Sequence, residues 1–122
     1  MTLAMQDTIT IYHNPRCSKS RAALEWLQHN QSDTELTIIE YLKSPADRDT
    51  VLEILDELQL KPEELMRRGE ARYKELNLHN NSTSELIDAI VDNPILMERP
   101  IVRYKQQAAI GRPLDNIIEL FD

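Results

Sequence analysis

The segment Thr8-Ile9-Thr10-Ile11-Tyr12-His13 alternates β-branched and aromatic residues and stops at Asn14-Pro15, and a helix-forming run carrying Ala22, Ala23, Leu24, Trp26 and Leu27 follows at once. The alternation predicts a strand and the Asn-Pro pair ends it. Ser18 and Ser20 are natural helix-opening residues, and the apolar spacing behind them predicts a helix. A strand that turns tightly into a helix is half of a βαβ unit. The second strand is expected over residues 35–41, after a polar loop at 30–33.

Further on, Ser44-Pro45 with Asp47 in the first turn predicts a second long helix presenting Val51, Ile54, Leu55 and Leu58. Lys61-Pro62-Glu63-Glu64-Leu65 opens a short helix expected to end at Gly69. Ser82-x-x-Glu85 reads as a capping box before Leu86, Ile87, Ile90 and Val91. Residues 99–104 then read as a strand, 108–110 as a short return, and Pro113 opens a last helix. This order, βαβ, helices, ββα, predicts an α/β, thioredoxin-like fold with a central mixed four-stranded sheet and a helical insertion. With 122 residues, a single domain over 1–122 is expected.

Charge narrows the partners. Against 14 basic residues stand 21 acidic ones, a net of −7, which argues against nucleic acid or an anionic membrane. Yet Arg16, Lys19 and Arg21 surround the one cysteine, and Arg99, Arg103, Lys105 and Arg112 gather near the end, a distribution that suits a small anion. No stretch approaches the roughly 18 apolar residues of a membrane span. Residues 1–7 lack the basic-then-apolar order of a signal peptide, so a cytoplasmic location is expected. The histidines His13, His29 and His79 have no second thiol or paired spacing, so no metal is expected.

A lone cysteine usually packs as a small apolar residue. Cys17 differs from that pattern. It falls at the expected first turn of a helix, where unpaired N–H groups and the positive end of the dipole favour a thiolate. Arg16, Lys19 and Arg21 surround it without an acid, and His13 lies four residues upstream. The same turn can bind a tetrahedral oxyanion. A cysteine-phosphatase loop would carry Arg six residues after the cysteine, where this chain has Ala23. In Cys17-Ser18-Lys19-Ser20 the second thiol of a C-x-x-C pair is replaced by Ser20, so any disulfide must form with another molecule.

The run Tyr12-His13-Asn14-Pro15-Arg16-Cys17-Ser18-Lys19-Ser20-Arg21 resembles the active-site loop of the glutaredoxin-coupled arsenate reductase family. Three further matches follow in order: Leu65-Met66-Arg67-Arg68, Asn93-Pro94-Ile95-Leu96-Met97-Glu98-Arg99-Pro100-Ile101-Val102, and Gly111-Arg112-Pro113. The resemblance implies that Cys17 is the nucleophile and that His13 helps keep it ionised. It assigns Arg67, Arg99 and Arg112 to the oxyanion and makes Pro100 the cis-proline of the fold. Asn14, Ser18, Lys19, Ser20 and Arg21 form the active-site loop. It further implies arsenate as substrate, glutathione as co-substrate with no bound cofactor, glutaredoxin as protein partner, and a monomer. Two departures from the established reductases, Ser18-Lys19 directly after the nucleophile and an end at Asp122, make a sister branch of the family the expectation. Two other readings keep the fold: a monothiol glutathione-dependent oxidoreductase acting on another substrate, and a thiol-sensing regulator that binds a protein partner.

Overall fold

The computed structural model describes residues 8–122; residues 1–7, which carry the expectation of no signal peptide, lie outside them. The chain divides into two compact units. One comprises residues up to Tyr41 together with Arg99–Asp122, and the other is Leu42–Glu98, the stretch expected as a helical insertion.

The first unit holds the sheet. Strand β1 (Ile9–His13) is central: it pairs in parallel with β2 (Leu36–Glu40) and antiparallel with β3 (Ile101–Tyr104), which pairs antiparallel with β4 (Gln107–Ile110). The order is β2-β1-β3-β4. Strand β3 begins two residues later than expected. The Arg99–Pro100 peptide is cis, and a proline has no N–H to give a ladder, so pairing starts at Ile101. Lys105 and Gln106 link β3 to β4 with φ of 52° and 63°, the left-handed pair that a two-residue hairpin requires.

Helix α1 (Ser18–Asn30) buries Ser20, Ala23 and Leu27, one stripe at the i, i+3, i+7 spacing of a helix face. Ala23 and Leu27 join Ile9, Ile11, Val102, Ala109 and Ile117 in the core of this unit. Burying an aliphatic side chain of this kind stabilises by about 1.5–3 kcal/mol. The last α-helix of this unit starts at Asp115 rather than at Pro113. Turns closed by Asn116 N–H to Pro113 O and Ile117 N–H to Leu114 O occupy the intervening residues.

The second unit is helical. Helix α2 (Arg48–Leu58) starts after Ser44-Pro45, because Asp47 is its N-cap, accepting from the Thr50 N–H at 2.9 Å. Its buried Val51, Ile54 and Leu55 pack toward α5 (Thr83–Asp92), which buries Leu86, Ile87 and Ile90. Between them lie α3 (Pro62–Leu65) and α4 (Ala71–Glu75). The capping box at Ser82 and Glu85 forms as expected, with Glu85 Oε1 accepting from the Ser82 N–H at 2.9 Å. Helix α3 ends at Leu65, short of Gly69, because Met66 turns extended and bridges to Met97. Arg67 N–H donates to Leu96 O and Glu98 N–H to Leu65 O, so the chain here pairs sideways instead of continuing the helix. Helix α4 buries no residue and therefore carries no apolar period that a sequence could reveal. The last α-helix in the chain, α6, is Asp115–Ile118. Among the described residues no helix is long and apolar enough to cross a membrane.

Candidate active site

The site grows out of the junction between β1 and α1. After His13 the chain makes a tight turn in which the Cys17 N–H donates to Asn14 O at 3.0 Å. Asn14 Oδ1 accepts from the Arg16 N–H, also at 3.0 Å, the side-chain-stabilised turn for which Asn is suited. Arg21 Nη1 donates to Pro15 O at 2.9 Å, tying the first turn of the helix back onto the loop. Cys17 is the N-cap of α1, its φ of −97° and ψ of 121° being those of a residue half outside the helix. Its carbonyl accepts the first helical bond, from Arg21 N–H.

This placement decides the chemistry of the thiol. Partial burial pushes the Cys17 pKa up, but the backbone N–H groups of Ser20 and Lys19, together with the charge and hydrogen bond of Arg99, outweigh it and leave the thiol below its ordinary value. Arg112 Nη1 lies 3.9 Å from Sγ, at the outer edge of an N–H···S contact. Because Arg112 is exposed, water screens its charge, and the half-buried Arg99 is the stronger influence.

The sequence places Arg16, Lys19 and Arg21 around the thiol. Lys19 lowers the thiol through its backbone N–H, and the arginine that acts on it, Arg99, arrives from 82 positions away across the fold. His13 is the residue to which the resemblance gives the task of keeping Cys17 ionised. Burial, first, pulls its pKa below the ordinary 6.5, Arg21 adds to that and Glu40 opposes it, so the imidazole is neutral at neutral pH. Its Nδ1 lies 2.7 Å from Ser20 Oγ, which in turn accepts from the Asn14 N–H at 2.9 Å. Residue type alone could not disclose this bridge. A signal for it existed in the register, since Ser20 falls on the same helical stripe as Ala23 and Leu27 and is therefore a hydroxyl facing the core.

Three of the expected groups, Cys17, Arg99 and Arg112, thus come together within the first unit. Pro100 is cis, as the resemblance implied, and so is Pro113. Gly111 donates its N–H to Pro100 O at 2.9 Å and holds the strand end bearing Arg112 against the segment bearing Arg99. Ser18 and Lys19 are exposed on the first turn of α1. Arg67 belongs to the helical unit, where its guanidinium pairs with Glu70 at 3.3 Å and donates to Ile95 O at 3.4 Å. Among the described residues no group of three or more His, Cys, Asp or Glu side chains could hold a metal.

A thiol at the N-cap of a helix, with the guanidinium groups of Arg99 and Arg112 near it and a cis Arg99–Pro100 peptide in the same unit, marks a thioredoxin-like thiol protein. Comparison with known proteins narrows the class: the chain matches the ArsC family over residues 12–120 and belongs to it. Over 119 residues it is 49% identical to uncharacterized protein YfgD of Escherichia coli (strain K12), covering 95% of this chain and 98% of that one. It is 45% identical over 112 residues to arsenate reductase of Neisseria meningitidis serogroup A, covering 89% and 94%. The solved structure of arsenate reductase from Vibrio cholerae is similar with a TM-score of 0.86 at 36% identity, over 93% of this chain and 97% of that one. The α/β fold with its mixed four-stranded sheet is that of these thioredoxin-like reductases.

Proposed function

We propose that this protein is a glutathione- and glutaredoxin-dependent arsenate reductase of the cytoplasm, with Cys17 as nucleophile. The observation that carries the reading is the pairing of a Cys17 thiol held below its ordinary pKa with the guanidinium groups of Arg99 and Arg112. A thiolate alone would repel an arsenate dianion. Two cationic forks beside the sulfur attract it, align it, and stabilise the charge that builds on its oxygens.

In the proposed cycle the Cys17 thiolate attacks arsenic, an As–S bond forms, and an arsenic-bound oxygen leaves as water. Glutathione adds a second As–S bond with loss of another water. A glutaredoxin thiol then attacks the glutathione sulfur, the electron pair of that As–S bond stays on arsenic, and As(V) becomes As(III). Hydrolysis at Cys17 releases arsenite and restores the thiolate. The two electrons come from the two outside thiols, which end as a mixed disulfide. An outside thiol is required because Cys17 is the one cysteine in the chain.

The test is a coupled assay with glutathione, glutaredoxin, glutathione reductase and NADPH. Arsenate should trigger NADPH consumption, Cys17→Ser should abolish it, and omission of glutathione should stop it. Multiple turnovers without any thiol, or with Cys17→Ser, would refute the mechanism. A silent assay with a competent thiol system would remove arsenate as substrate.

A further inference from the structure

The group that ties β1 to the helix start is not charged. Ser20 has 0% of its surface exposed and His13 6%, and the two meet through Nδ1 and Oγ at 2.7 Å. A hydroxyl has one hydrogen to donate and two lone pairs to accept with. One lone pair is taken by the Asn14 N–H, a donor whose direction is not in question. The bond to His13 could run either way in principle. If Nδ1–H were the donor, the hydrogen of a fully buried hydroxyl would be left without an acceptor, at the cost of an unsatisfied buried group. The arrangement that satisfies every atom has Ser20 donating to a bare Nδ1, which places the imidazole proton on Nε2.

We infer that Ser20 is a positioning residue for Cys17: its hydroxyl donates to Nδ1 of a neutral His13 and accepts from the Asn14 N–H, and so fixes the loop on which the thiol sits. The inference rests on the reading of Cys17 as the reactive group, and it specifies how His13 reaches that group. Clamping Ser20 by its side chain also clamps its backbone N–H, one of the two amides that favour the thiolate. His13 therefore influences Cys17 through Ser20 rather than by lending a charge. The groups that bear on the His13 ring are Glu40, its register partner on β2, and Arg21 on α1. They act in opposite directions, and burial outweighs both in keeping the ring neutral.

Two measurements on the intact protein test this without arsenate, so their outcome is separate from that of the reductase assay. Long-range proton–nitrogen NMR at pH 7 should show His13 as the Nε2–H tautomer. An Nδ1–H tautomer or a doubly protonated ring would overturn the proposal. The second measurement is the pH midpoint of Cys17 alkylation by iodoacetamide. Ser20→Ala should raise it by about half a unit or more, His13→Ala should raise it similarly, and the double variant should raise it no further. His13→Asn, whose amide oxygen can accept at the Nδ1 position, should restore the midpoint, whereas His13→Gln, which reaches toward Nε2, should not. A midpoint unmoved by Ser20→Ala, or additive shifts in the double variant, would show that the hydroxyl does not carry the coupling.

Discussion

Gly111→Ala isolates the packing that brings Arg99 and Arg112 to the same thiol. Gly111 does not have positive φ, so the substitution carries no backbone penalty of the left-handed kind, and its whole effect must be steric. A Cβ there would lie 2.5 Å from Ile117 Cδ1 and 2.9 Å from Pro100 Cγ. Ile117 has 0% exposure, and the Pro100 ring has little freedom to swing away. Overpacking of this kind costs about 1–3 kcal/mol, or a fall in melting temperature of roughly 4–12 °C for a chain of this size. Because Arg112 is the next residue, turnover should fall as well. Ile117→Val removes the nearest atom and alone costs about 1 kcal/mol, but combined with Gly111→Ala it should recover on the order of 1 kcal/mol relative to the sum of the two. Thermal unfolding by circular dichroism of the four proteins gives that coupling. Strict additivity, or a Gly111→Ala melting temperature within about a degree of the parent, would refute the reasoning.

In the coupled assay, Arg99→Leu and Arg112→Leu should each lower kcat/KM on the order of 100-fold, with folded spectra unchanged; full turnover would remove that arginine from the site. Cys17 and His13 both bind fewer protons in the folded chain than in the unfolded one, since both pKa values are lowered by the fold. Stability should therefore rise with pH through the window below 6.5 for His13 and below about 8.5 for Cys17. Urea titrations of the parent and of Cys17→Ser should diverge across the upper window, and parallel curves would contradict the lowered thiol. Lys105→Asn with Gln106→Gly, placing residues suited to left-handed φ in the hairpin turn, should stabilise by about 1 kcal/mol. An unchanged melting temperature would mean that the turn carries no such strain.

What could be read from the residues was whatever depends on near neighbours. The alternation at residues 8–13 and the stripe of Ala23 and Leu27 fixed β1 and α1. Ser82 and Glu85 marked a helix start because a capping box is complete within four residues. The cysteine at the β1–α1 junction announced itself for the same reason, since the helix dipole is local. The edges that moved did so where longer-range pairing competed. Met66 leaves α3 for its bridge to Met97, and Pro100 delays β3, while α4 has no buried face to betray it.

By itself, then, the sequence determined that a strand turns into a helix with the one thiol at the junction, because those preferences are set by each residue's own backbone and its immediate successors. Only the tertiary structure decided what acts on that thiol. Arg99, 82 positions away in sequence, brings its charge to the thiol, because Coulomb interactions follow distance and burial in space and not separation along the chain. The same holds for His13 and Ser20, seven residues apart, whose role as a neutral buried pair follows from the packing that removed both from water.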